Sequence, residues 1–187
     1  MKILIIDNKD SFTYNLSHYV GQFVEQIDVF RSSHLTIDCI NAYDKIIFSP
    51  GPGKPSDFPF LYEVLDRYDK KKSILGICLG HQAIADFYGA KLINLKSVKH
   101  GVKSIIKHNG SSSIFKGIPF RFNIGHYHSW VVSEKSFPSC LQITSYNNEG
   151  MITSIKHTKF NIQGLQFHPE SILTEYGIDI IKNWINN

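Results

Sequence analysis

Two kinds of hydrophobic pattern alternate through the first half of the chain. Ile3-Leu4-Ile5-Ile6 is an unbroken apolar run, as a strand buried on both faces requires. It stops at the polar turn Asp7-Asn8-Lys9-Asp10. Phe12, Leu16, Tyr19, Val20, Phe23 and Val24 then recur at helical spacing, with Asp10 or Ser11 as candidate N-cap. Ile27 to Phe30 predicts a second strand and Ile46-Ile47-Phe48 a third, ended by Ser49-Pro50-Gly51-Pro52-Gly53. A helix through Phe60, Leu61, Val64, Leu65 and Tyr68 follows. Ser73 to Ile77 predicts a fourth strand, and Leu79 to Tyr88 a helix closed by Gly89.

Strand-helix-strand repetition of this kind implies a parallel sheet with right-handed crossovers. From about residue 90 to 167 the pattern changes to short β-rich segments. Turn signals stand at Asn109-Gly110, Asn147-Asn148 and Glu149-Gly150. Antiparallel strands added to a parallel core are the expectation. A last helix would bury Tyr176, Ile180, Ile181, Trp184 and Ile185. With no linker, repeat or low-complexity tract, residues 1–187 read as a single α/β domain.

Composition narrows the function classes. Hydrophobic residues make up 42% of the chain and charged residues 19%, which excludes a disordered or fibrous chain. The net charge of +4 comes without a long Lys/Arg block, so nothing points to nucleic acid. Lys70-Lys71-Lys72 falls where a helix should end, and cations suit that position. Cys39, Cys78 and Cys140 are too few and too scattered for a disulfide framework or a structural zinc site. The four-residue apolar run at the N-terminus is too short for a signal core or a membrane span. A cytoplasmic setting with no membrane partner is therefore expected.

Gly76-Ile77-Cys78-Leu79-Gly80 lies between a strand and a helix, in the pattern of a nucleophile elbow with Cys in place of Ser. Such a turn needs small flanking residues. It lifts the sulfur above the carboxyl end of the sheet and sets it at a helix N-terminus, which favours thiolate. The Leu79 N–H then points to where an oxyanion would form. A thiol nucleophile wants a base and an orienting group, and Gln166-Phe167-His168-Pro169-Glu170 supplies both. In extended geometry His168 and Glu170 would project to one face. The Ser49 to Gly53 turn ends a neighbouring strand and faces the same crevice. Pro52 has no N–H, so a backbone donor there must be Gly51 or Gly53.

Asp7 to Leu16, the Ser-Pro-Gly-Pro-Gly turn, Gly76 to Gln82, Tyr127-His128-Ser129-Trp130 and Gln166 to Ser171 together resemble class I glutamine amidotransferases. The N-terminal block is most similar to the glutaminase subunits of anthranilate synthase and of 4-amino-4-deoxychorismate synthase. The resemblance runs the full length, in order. It implies a flavodoxin-like sheet and hydrolysis of L-glutamine to glutamate and ammonia. Cys78 would attack, His168 would be base and then acid, and Glu170 would orient it. Leu79 and the Gly51/Gly53 turn would hold the oxyanion. Gly51, Pro52, Gly53, Gln82, Ser129 and the backbone at Trp130 would contact the glutamine. The resemblance implies no cofactor in this chain, with Mg2+ expected only on a partner. That partner would be a chorismate-binding synthase subunit, component I, receiving the ammonia. Its product would be anthranilate, for tryptophan synthesis, or aminodeoxychorismate, for folate synthesis, or both.

Three positions depart from the family pattern. Lys9 stands where Tyr is common, His126 where Arg is frequent, and Trp130 where Leu is common. Two rival readings use the same fold: a stand-alone Cys hydrolase, and a subunit that has lost catalysis. The N-terminal block opposes the first and the intact Cys78, His168 and Glu170 oppose the second. The remaining histidines form no metal-ligand spacing, and His126 and His128 read as surface or hydrogen-bonded residues. Cys39 and Cys140 read as passive packing, and Phe12, Tyr19 and Phe23 as core.

Overall fold

A computed structural model describes residues 1–187. Nine strands form one sheet in the order β2-β1-β3-β4-β9-β8-β7-β5-β6. Strands β1 (Lys2–Asp7), β2 (Gln26–Arg31), β3 (Lys45–Phe48) and β4 (Ser73–Ile77) run parallel. Strand β9 (Ile162–Leu165) pairs parallel with β4, Gly164 opposite Gly76. Beyond it β8 (Ile152–His157), β7 (Leu141–Asn147), β5 (Leu92–His108) and β6 (Arg121–Val132) are antiparallel.

Because the inner parallel strands β1, β3 and β4 are apolar at nearly every position, each feeds both faces of the sheet, whereas the edge strand β2 buries no residue. Leu4, Ile6, Ile46, Phe48 and Ile74 pack under helices α2 (Pro59–Tyr68) and α3 (Leu79–Phe87). Ile3, Ile5, Ile47, Leu75 and Ile77 pack under α1 (Thr13–Gly21) and α4 (Gly177–Ile185). Lys45 is a buried cation at the start of β3. Its Nζ donates to the carbonyls of Trp184 and Asn187 at 2.9 and 2.8 Å, so a cation caps the C-terminal end of α4.

Several expectations are corrected. The residue that caps the start of α1 is Phe12, not Asp10 or Ser11; Asp10 instead accepts the Phe12 N–H at 2.8 Å and shapes the approach to the helix. The helix ends at Gly21, so Phe23 and Val24 reach the core from beyond its end. Tyr176 precedes α4 with a left-handed backbone and is exposed, while Ile180, Ile181, Trp184 and Ile185 are buried as expected. The region 90–167 is neither all short nor all antiparallel: β5 has 17 residues, and β9 rejoins the parallel core. Cys39 is exposed rather than packed. Lys70-Lys71-Lys72 does follow the end of α2, as expected, and Lys72 Nζ donates to the carbonyls of Asn41 and Tyr43.

The elbow depends on two glycines. A Cβ on Gly76 would lie 2.4 Å from the Gly80 carbonyl, and one on Gly80 would lie 2.6 Å from Phe48 Cβ and its carbonyl oxygen. Helix α3 can therefore sit against β3 and β4 only without side chains there. Gly76→Ala is expected to cost at least about 3 kcal/mol, the upper range for overpacking, because the obstacle is backbone. Urea unfolding checks this; a variant as stable as the parent would show that the elbow can move aside.

Candidate active site

Cys78 has φ +50° and ψ −99°, a conformation rarely adopted by non-glycine residues. Its N–H is held at 2.7 Å by the Leu165 carbonyl at the end of β9. Its own carbonyl accepts the Gln82 N–H at 3.0 Å, so the helix begins on Cys78 itself. The first N–H groups of α3 thus have no acceptor within the helix. The side chain is almost wholly buried and opens on one side into a pocket of about 180 Å3.

His168 and Glu170 follow β9 in a turn rather than in the extended geometry expected. His168 Nδ1 donates to Glu170 Oε1 at 2.7 Å, and both residues are buried. The turn is tied down by Thr174 Oγ1, which donates to the His168 carbonyl at 2.6 Å. His168 Nε2, across the ring from Nδ1, is buried and makes no hydrogen bond, and Cys78 is the neighbour on that ring that acts on its charge together with Glu170. Burial disfavours the imidazolium. The Glu170 carboxylate, helped by the Cys78 sulfur, outweighs that, and the His168 pKa lies well above the ordinary histidine value.

The pocket beside Cys78 is lined by Gly51, Pro52, Gly53, Gln82, Ser129 and Trp130, all six of the expected glutamine contacts. The turn carrying the glycines is locked to the end of β1. Asn8 N–H donates to Ser49 Oγ at 2.8 Å, and Asn8 Nδ2 donates to the Ser49 carbonyl at 2.9 Å. A Cβ on Gly51 would lie 2.7 Å from the Asn8 carbonyl and 2.8 Å from Leu79 Cδ2, so the turn rests directly on the start of α3. The N–H groups of Gly51 and Gly53 make no hydrogen bond within the protein. Gln82 Nε2 donates to the Trp130 carbonyl at 2.8 Å.

Four contributors lay outside the sequence reading. Phe12, expected in the core, packs its ring 5.6 Å from the His168 ring, edge to face, and Tyr127 packs 4.9 Å from it. Val98 lines the pocket from an irregular stretch of β5: Asn94 pairs with Trp130 but Lys99 pairs with His128, so residues 95–98 bulge opposite Ser129. Gln166 donates from Nε2 to Cys78 Sγ at 3.7 Å. Phe12, Tyr127 and Gln166 stand within the motifs that carry the resemblance, without a role in the site assigned to them; Val98 had no local signal. Of the two readings open for His126 and His128, surface or hydrogen-bonded, the second holds. They are buried, 2.9 Å apart from Nδ1 to Nε2, with Ser104 Oγ 2.6 Å from His126 Nε2. Burial pushes their pKa values down to about 4 and about 3. His81, behind the elbow, is likewise pushed down to about 3 by burial.

No helix is long and apolar enough to cross a membrane. The family model for class-I glutamine amidotransferases matches residues 4–187. Aminodeoxychorismate/anthranilate synthase component 2 of Bacillus subtilis is 40% identical over 185 residues, covering 98% of this chain and 95% of that one. Aminodeoxychorismate synthase component 2 of Escherichia coli is 39% identical over 186 residues, covering 98% and 99%. The crystal structure of a protein from Thermoplasma acidophilum, assigned to GMP synthase, matches with a TM-score of 0.89 at 23% identity, covering 100% of this chain and 92% of that one. That likeness speaks for the fold. The family match over nearly the whole length, with relatives at about 40% identity, carries the conclusion that this chain belongs to the class-I glutamine amidotransferases.

Proposed function

We propose that this chain is the glutaminase subunit of a chorismate-using synthase, making ammonia from L-glutamine for the synthesis of anthranilate. The observation that carries the reading is Cys78 at the wall of a pocket built from Gly51–Gly53, Gln82, Ser129 and Trp130, with the buried His168–Glu170 pair acting beside it.

The Cys78 thiolate attacks the side-chain amide carbon. The carbonyl electrons move to oxygen, which the N–H groups of Leu79 and the Gly51/Gly53 turn receive; one such donor contributes about 3 kcal/mol of transition-state stabilisation. The imidazolium of His168 gives its proton to the leaving nitrogen, the C–N bond breaks, and ammonia departs. Neutral His168 then takes a proton from water as the water adds to the thioester, and glutamate is released. Glu170 holds the Nδ1–H tautomer throughout. Gln82 and the strand at Ser129 and Trp130 fix the amino-acid end of the substrate. Every step uses this chain's own groups, with no cofactor. A free thiol nucleophile suits a reducing compartment, which supports a cytoplasmic location.

The partner is a component I subunit that binds chorismate. The relatives' names carry both products, and this supports aminodeoxychorismate synthesis as the second reading, by the same chemistry with a different or shared partner.

Cys78→Ser is expected to lower glutamine-dependent product formation by the complex roughly 1,000-fold or more, while synthesis from ammonium salts continues. Glutamine-dependent activity that survives the change would sink the assignment.

Glu170→Gln tests the ion pair by pH. The folded-state pKa of His168 is raised, so the pair's contribution to stability is complete below the unfolded value of about 6.5 and is lost as pH rises through the folded value. The stability gap between parent and Glu170→Gln in urea should be wider at about pH 6 than at about pH 9. A gap that does not change with pH would refute the charge pairing.

A further inference from the structure

Gln166 is fully buried beside the nucleophile and has no part in the steps above. Its side-chain amide touches two groups. Gln82 Nε2 is 3.3 Å from Gln166 Oε1, and Cys78 Sγ is 3.7 Å from Gln166 Nε2. A backbone group settles which end faces which. The Trp130 carbonyl can only accept, so the Gln82 atom 2.8 Å away must be nitrogen. The same nitrogen meets Gln166, which must therefore present oxygen to it. The NH2 of Gln166 is then left facing the sulfur. Turned the other way, the amide would set nitrogen against nitrogen and oxygen against a thiolate, and neither hydrogen bond would form.

We infer that Gln166 is a catalytic donor to the Cys78 thiolate, oriented by Gln82 and, through it, by the Trp130 carbonyl. The inference deepens the glutaminase reading and rests on it. The donor matters most in the second half of the reaction. Water adds to the thioester carbon and gives its proton to His168. The tetrahedral intermediate then collapses, the C–S bond breaks, and its electron pair returns to sulfur. His168 is engaged with the water oxygen at that moment, so the Gln166 N–H meets the returning charge. Tyr127 and His128 line the pocket with Cys78, Glu170 stands behind His168, His126 is bonded to His128, and His81 lies on α3. Burial keeps His81, His126 and His128 neutral, so none supplies a cation that would make the amide redundant.

The test is the pH dependence of Cys78 alkylation by iodoacetamide in the full-length chain. It is read on the Cys78 peptide by mass spectrometry, because Cys39 and Cys140 are also free. It needs neither glutamine nor a partner. A failure here is thus distinct from a failure of the glutaminase reading, which would appear as missing glutamine-dependent product. Gln166→Met keeps the side-chain length and removes the donor. Its thiol midpoint should move up by about one pH unit, with alkylation about tenfold slower below the midpoint. Gln166→Glu should move further, since a carboxylate repels the thiolate. An unchanged midpoint in a Gln166→Met protein that unfolds like the parent overturns the inference. If that variant does not fold, Gln82→Met leaves Gln166 in place and frees its amide to turn. About threefold slower alkylation below the midpoint then supports the inference, and an unchanged profile overturns it.

Discussion

The whole arrangement turns on one strained residue. Cys78 holds a positive φ that L-residues avoid, at a cost of order 1–3 kcal/mol. The surroundings over-determine it. β4 brings the chain up from the sheet, Leu165 takes the Cys78 N–H, and α3 starts on the Cys78 carbonyl. Gly76 and Gly80 remove the side chains that would push helix and strands apart. The strain is therefore carried by the parallel core, where the strands are buried on both faces, and its product is a sulfur at a helix N-terminus beside a pocket.

The other parts of the site are referred back to that same core. The N-terminal block acts through Asn8, which ties the end of β1 to Ser49 and so seats the glycine turn against Leu79. The His168 turn follows directly from β9, the strand whose last carbonyl already holds Cys78. Nucleophile and base are thus fixed by adjacent strands rather than by long loops. Only the pocket's outer wall comes from the antiparallel extension, through Ser129, Trp130 and the β5 bulge. The reacting atoms are rigidly placed, and the substrate-facing wall is built on the part of the sheet with the more irregular pairing.

What the residues disclose by themselves follows from how local each cause is. The runs Ile3–Ile6 and Ile46–Phe48 read as buried strands because every position is apolar, and Cys78 reads as a nucleophile because its glycines are neighbours in sequence. His168 and Glu170 read as a pair because they stand two places apart, though as a turn and not as the extended segment expected. β5 was not legible, because its outer face is solvated and its bulge at 95–98 breaks the alternation. β9 looked like one more antiparallel strand; its return beside β4 is a choice of topology that no four-residue run encodes. Phe12 sits at a helical spacing but just before α1, where its ring is free to meet His168. Gln166 acquires its role from Trp130, 36 places away in the chain, through Gln82. Contacts of that range are set by the fold and leave no local pattern.

The three buried neutral histidines have a consequence for the molecule as a whole. His81, His126 and His128 resist protonation while folded, yet each is an ordinary base in the unfolded chain. Below about pH 6.5 unfolding therefore takes up protons, and acidity pulls the equilibrium toward the open chain at three places at once. His168 acts in the opposite sense, since it binds its proton more tightly folded than unfolded. The site thus sits between two opposed proton demands, three histidines that favour the open chain in acid and one that favours the folded chain.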